Sequence, residues 1–529
     1  MTTPQQPGPP TPTHGPYGRL NPYGGGQPGP PPSAPPPTPE QPPTQEQPQS
    51  QPPGGRKRRT TAVIAAVVAA LLAVGGVTWY TLAGTGEHKD DKASPSASPT
   101  VGMPSPKPSG PPGPDAAAAA GYNKDRGPGD ASVLWVRKND IDVPQLGGFV
   151  FGPWVDGDIV VTAMYRTVTA HSVKDGTVKW RLTLDTEICK APHLPSEDGK
   201  IALALKDKLH AESDDCRRLQ MVDLRAGKVG WQQKVAQEDT FDFMTNYSIA
   251  MSGGTVTFGR HGYSTGYRLS DGRKLFGRWD KSECQPYAYA GGPKLVAAVS
   301  CPTSDAEKPQ EEIHEVDPAT GKSRWKYRLP VGYRVDHVLS VRPLIVSATY
   351  RAQGGHGIVV LNEDGTKRTS LQGDGQYAEG CADESTHDGN LQRCQVVADE
   401  STAYIATIAQ NKDTANEIVA FDLGSGKVVR HIPGIPGRTA WPLRMEGGSL
   451  VVRMAAVLDE PGSLATVAPG ATKAVELLRI PRAAGRAASR YYASPALYVD
   501  GRYILVQSLI VGTTDDEERE KETLMAFGK

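Results

Sequence analysis

From about residue 131 to the end of the chain, apolar positions come in short runs broken by polar turns. Such runs begin as "DGDIVVTAMY" at 156, "DGKIALALK" at 198, "GGTVTFGR" at 253, "GGPKLVAAVSC" at 291 and "RPLIVSATY" at 342. Three more follow: "DESTAYIATIA" at 399, "GGSLVVRMAAVL" at 447 and "DGRYILVQSLIV" at 500. Each is rich in Val, Ile, Tyr or Thr and most open on a Gly or Asp turn, which is a strand signal. No stretch shows a sustained 3.6-residue apolar period. The Ala and Arg run at 481–490 is too short and proline-bounded to predict a helix. The expectation is an all-β fold.

A second pattern recurs in register with the first. "VKDGTVKW" at 173–180, "VDLRAGKVGW" at 222–231, "RLSDGRKLFGRW" at 268–279 and "VDPATGKSRW" at 316–325 each place a large ring four residues after a turn glycine: Trp180, Trp231, Phe276 and Trp325. Past Trp325 the ring is lost but the turn persists, so the marking glycines are 176, 227, 272, 321, 365, 426, 470 and 528. A spacing of about 44 to 61 residues suits a four-stranded propeller blade better than a helical repeat of about 34. Two markers, each met eight times, predict eight blades. The last turn, at Gly528, ends the chain before an outer strand can form, while "SVLWVRK" at 132–138, with Trp135, is a strand without partners. Pairing the two would close the ring and leave no open edge.

The first 130 residues are of another kind. Residues 1–55 hold 20 of the 47 prolines and almost no charge, so they have too little to bury and are expected to be disordered, with polyproline II character. In 56–83, four basic residues from Arg56 to Arg59 precede an uncharged run from Thr60 to Ala83 that ends near Trp79 and Tyr80. As a helix this run would be about 36 Å long, enough to cross about 30 Å of hydrocarbon. The basic flank marks the cytoplasmic side, which predicts a retained single-pass anchor with the amino terminus inside and the bulk of the chain outside. An amino-terminal region this long argues against a cleaved signal peptide. Residues 84–130, rich in Ser, Pro and Gly, read as an extracellular stalk, and 131–529 as the propeller domain.

All six cysteines, Cys189, Cys216, Cys284, Cys301, Cys381 and Cys394, fall in the part expected outside, and an even count there suggests disulfides. Their spacing favours sequential pairs: 189 with 216, 284 with 301, and 381 with 394. A metal site is the weaker alternative, because no CxxC pair or histidine clamp accompanies them. Between Cys381 and Cys394 stand Asp383, Glu384, Asp388 and Asn390, whose spacing does not make a calcium loop. "GGHG" at 354–357 opens no helix and reads as a flexible loop, and "DDEEREKE" at 515–522 as a solvated hairpin loop. A balanced charge, with 58 basic and 58 acidic residues, and the exterior location speak against nucleic acid as a partner.

The strand, D-x-x-x-G-x-x-x-W turn and second strand, repeated around a ring, resemble the pyrroloquinoline-quinone-type β-propeller repeat. Quinoprotein dehydrogenases, the propeller lipoprotein of outer-membrane assembly and sensor domains of bacterial membrane kinases share that repeat. Asp317, Gly321 and Trp325 match the motif fully, as do Asp223, Gly227 and Trp231, and Gly176 with Trp180 match in part. The resemblance covers about 131–529 and implies that Trp135, Trp180, Trp231, Phe276 and Trp325 dock one blade on the next. Tail, anchor and propeller together look like an actinobacterial single-pass membrane form. A quinoprotein dehydrogenase would need a stacked quinone, a Ca²⁺ held by carboxylate and amide oxygens, and an Asp base. No adjacent cysteines or such oxygen set can be placed, so no catalytic residue, cofactor or metal is assigned and no enzymatic activity is expected. The reading is a membrane-anchored binding or sensor module for a protein, glycan or small ligand. A scaffold for envelope or secretion assembly is the alternative, and a quinone-dependent dehydrogenase the least favoured.

Overall fold

In the computed structural model, the described residues run from 113 to 529, apart from 145–146, 210–215, 236, 239, 243–246, 261, 280–283, 306–309, 351–354, 374–376, 382–390, 393, 409–414 and 458–459. The expected tail and anchor, 1–83, lie outside them. No helix among the described residues is long and apolar enough to cross a membrane.

Eight antiparallel sheets follow one another along the chain. The first contains Gly148–Asp156, Ile159–Met164, Thr167–Ser172 and Val178–Thr183, here called strands A to D from the axis outward. The next six blades span 188–234, 247–276, 285–328, 333–370, 377–433 and 439–479, and the eighth takes its inner three strands from 496–528. Its outer strand is Ser132–Lys138, which pairs antiparallel with Glu522–Gly528, from Ser132 opposite Gly528 to Lys138 opposite Glu522. The chain thus closes the ring as the sequence predicts, and the amino-terminal strand removes the last open edge. Strand B of every blade has buried side chains on both faces, because a blade lies between two neighbours; Ile159–Met164 and Thr255–Arg260 are buried throughout. This sandwiching is why these strands read as unbroken apolar runs.

The C–D turn shows why the repeat needs Asp and Gly. Asp317 accepts the backbone N–H of Ala319 at 2.8 Å and of Thr320 at 3.1 Å, and Gly321, at φ 71°, donates to the Asp317 carbonyl. An Asx-capped turn that ends in a left-handed residue favours this pair over other residue types.

Four segments depart from expectation. Within the expected stalk, Ala116–Asn123 is a helix capped by Asp115, whose carboxylate accepts from Ala118 N at 2.8 Å. It packs on the closing strand: Asn123 exchanges two hydrogen bonds with Val133 at 2.8 and 2.9 Å, and Tyr122 donates to Glu522 at 2.5 Å. A run of five alanines behind an N-cap needs only a surface to dock on, and the ring supplies it. The 481–490 run forms the helix Arg482–Ser489 without a side-chain N-cap, held by the surface on which Ala484, Ala487 and Ala488 are buried. The acidic run at 515–522 is not a loop: Asp515–Arg519 is a short helix capped by Thr514, Glu518 is buried, and Glu522 begins the last strand. In "GGHG", Gly355 opens the strand Gly355–Leu361, and His356 pairs across to Thr349.

Candidate functional site

The docking rings lie at the seams between blades. An added Cβ at Gly176 would stand 2.6 Å from the Trp135 ring; at Gly227, 2.5 Å from Trp180; at Gly272, 2.7 Å from Trp231; at Gly321, 2.5 Å from Phe276; and at Gly365, 2.4 Å from Trp325. Each ring therefore covers the turn glycine of the following blade, so glycine is required for approach as well as for φ. Trp135 donates to Val173 O at 3.2 Å and Trp231 to Leu269 O at 2.7 Å, whereas Trp325 turns to Glu315 of its own blade at 3.2 Å. Trp135 is fully buried; Trp180, Trp231, Phe276 and Trp325 are half-buried. At the next seam the ring position is Thr369. There Gly426 faces Thr369 and the Ser370 carbonyl, and Gln372 N donates to Gly426 O at 2.7 Å. Backbone approach has replaced the ring, which accounts for the fading aromatic signature.

Because strands alternate in direction, the A–B and C–D turns leave one face and the B–C and D–A connections leave the other. The long connections belong mostly to the second face, among them 206–217, 235–246, 302–309, 408–416 and 480–495. Two disulfides staple it. Cys189–Cys216 joins the start of an A strand to a B–C connection, and Cys284–Cys301 joins the start of another A strand to the end of its B strand. Exposed large apolar side chains gather on the same face: Phe149, Phe241, Val331, Ile408, Ile435, Tyr492, Leu509 and Val511. Of the remaining four, Val229, Val429 and Val475 lie on outer strands, and Leu194 lies in a long A–B connection.

The inner strand of the sixth blade is split into Tyr377–Ala378 and Val397–Ala398, both paired to Thr402–Thr407. The segment between them is closed by Cys381–Cys394. Leu391 is buried in the core of the fourth and fifth blades, its carbonyl accepts from Val338 N at 2.8 Å, and the Gln392 amide makes two hydrogen bonds to Gly291, at 2.7 and 2.8 Å. Asp383, Glu384, Asp388 and Asn390 lie outside the described residues. The sulfurs of this disulfide stand near His337, and those of Cys284–Cys301 near Glu312, but sulfur held in a disulfide is not a thiolate ligand.

Between this insertion and the inner strands of blades six, seven, eight and one lies a cavity of about 760 Å³. Trp441, Pro442, Leu443, Val397 and Leu497 supply much of its wall, with Arg453, His193, Gln395, Ser494 and Ser508 as its polar side chains. No carboxylate is among its described lining residues, and the two cysteines on its wall are 13 residues apart and joined to each other. These residues do not fit the quinone and Ca²⁺ pair that quinoprotein dehydrogenases need, since a hard cation requires anionic oxygens. The five residues Trp441, Arg453, Ser494, Ser508 and His193 carry no sequence signal of a site. They come from the second, seventh and eighth blades and the connection between the last two, and meet only at the axis.

Residues 125–283 match the family described as outer membrane protein assembly factor BamB. No curated protein sequence matches the chain. Among solved structures, BamB from Moraxella catarrhalis aligns at 11% identity over 75% of this chain and 100% of its own, with a TM-score of 0.40. The quinohemoprotein alcohol dehydrogenase from Comamonas testosteroni aligns at 12% identity over 76% of each chain, with a TM-score of 0.43. A europium-containing methanol dehydrogenase aligns at 12% identity over 75% of this chain and 93% of its own, with a TM-score of 0.41. With the turn motif, the closed ring of eight blades and the family match in agreement, the chain is a β-propeller protein built of pyrroloquinoline-quinone-like repeats.

Proposed function

We propose that this chain is a membrane-anchored, non-enzymatic propeller that binds a protein partner through the face bearing its long connections, as a scaffold would. The observation that carries this reading is the gathering on that face of eight of the twelve exposed large apolar side chains among the described residues. Exposed apolar surface costs solubility and marks contact with a partner. Tight repeated turns serve the ring on the opposite face, and long connections are where binding residues collect. An exterior location is supported by three disulfides and by the uncharged run from Thr60 to Ala83 behind four basic residues.

The test is site-specific photo-crosslinking in intact cells. A crosslinker is placed at Phe241, Val331 or Ile408 on the proposed binding face, and at Asp271 or Ser425 in C–D turns on the other. A discrete adduct from the first set alone, in a membrane fraction that resists alkaline extraction, is the expected result. Adducts equally frequent from both sets, or none from the first, would refute the binding face, and release by alkali would refute the anchor.

A further inference from the structure

We propose that the axial cavity is a binding site for a small acidic amphiphile, a carboxylate carried on an apolar body, with Arg453 as its anion partner. Arg453 is 3% exposed, and among the described residues no carboxylate pairs with it. Two of its nitrogens donate to carbonyls, Nη1 to Ser494 O at 2.7 Å and Nη2 to Tyr491 O at 2.6 Å, while Nε has no partner among the described residues; the neutral Tyr503 hydroxyl also lies beside the guanidinium. Carbonyl dipoles orient a guanidinium but do not neutralise it, and buried charges in folded proteins are normally paired. The cavity it lines, about 760 Å³, is within the range of small-molecule sites.

The chemistry of the wall selects the ligand. Among the described lining residues there is no acidic group to hold a cation, and the guanidinium calls for an anionic head. Ser508, whose hydroxyl lies 3.1 Å from that of Ser494, adds a second polar group. Trp441, Pro442 and Leu443 offer the body an apolar bed, so a small inorganic anion would leave most of the space unfilled. Leu509, 36% exposed and also part of the lining, marks where the cavity meets solvent. A planar guanidinium with spare donors prefers a carboxylate, which accepts more than one hydrogen bond. The cavity opens on the same face as the proposed protein contacts, through Leu509 and Phe149, but the argument for it does not depend on that reading.

The experiment is isothermal titration of the full chain, in mild detergent against a detergent blank, with 4-phenylbutyrate and with 4-phenylbutan-1-ol. The acid is expected to bind, and the alcohol about tenfold more weakly or worse, the loss of one charge-assisted contact. Arg453→Met should abolish the preference for the acid. Leu509→Glu, which places a negative charge at the opening, should weaken the acid and spare the alcohol. Should Arg453→Met fail to fold, the second variant decides alone. No binding of the acid by the native chain, equal affinity for acid and alcohol, or a preference that survives in the folded variants would each overturn the proposal.

Discussion

Gly227→Ala tests the seam between the first two blades. Gly227 sits at φ 61°, and an added methyl would stand 2.5 Å from the Trp180 ring. Two costs follow. Left-handed backbone with a Cβ costs roughly 1 to 2 kcal/mol, and forcing a carbon into a filled contact costs roughly 1 to 3 kcal/mol more. Gly157 separates the two, because its φ is 59° and an added Cβ there meets nothing within 4 Å. Gly157→Ala should therefore carry only the backbone cost, and Gly227→Ala the sum, about 2 to 5 kcal/mol. In a Trp180→Ala background the methyl has no ring to strike, so its effect should shrink to that at Gly157, a coupling of roughly 1 to 3 kcal/mol. For about 400 ordered residues, 1 kcal/mol moves the midpoint by about 1 °C, which scanning calorimetry of the four variants and the parent resolves. If Gly157→Ala and Gly227→Ala lower the midpoint equally, or if the two changes at the seam add without coupling, the ring does not pack on the glycine as described.

Three further outcomes are expected. Deleting 131–138 removes the strand that pairs with Glu522–Gly528 and should lower the melting temperature and promote aggregation far more than deleting 100–107; equal melts would end the closure account. Asp242 and Arg260 are both fully buried and joined at 2.5 and 2.8 Å, so Asp242→Ala should cost about 3 to 5 kcal/mol by stranding a charge, and Asp242→Leu with Arg260→Met should recover much of it in denaturant titrations. Burial, then the charge of Arg137, pushes the His171 imidazole down to about 3 from its ordinary 6.5. Its folded form resists protonation, so its contribution is whole above about pH 6.5 and falls as pH drops toward 3, a loss of roughly 3 kcal/mol between pH 7 and pH 4. Arg181 and Asp140 share this pocket, so the measurement is the difference between parent and His171→Gln in unfolding free energy against pH; parallel curves would refute it.

How much of this was legible in the sequence depends on the range of the interaction behind each feature. Strand B, the two turns and their spacing are local, so the blades could be counted and the closing strand identified from residues a few positions apart. Rings and glycines were legible as a period, but not what they touch. Trp135 and Gly176 are 41 residues apart, and only a neighbouring blade brings them together. Cysteine pairing by sequential order coincides with the structure because each pair lies within one blade or one insertion. The short helices at 116–123 and 482–489 escaped the sequence reading because neither has an apolar stripe long enough to stand alone; the surface they dock on stabilises them. The axial cavity was beyond reach for a related reason. Along the chain Arg453 is one more charged residue in a strand, while Trp441, Ser494 and Ser508 belong to separate elements. The closed ring sets these residues around one space, and burial there leaves the guanidinium without an opposing charge among the described residues. Period and turn chemistry determine what kind of blade forms and how many; which side chains face each other across the axis is settled only when the ring closes, since that depends on contacts between blades hundreds of residues apart.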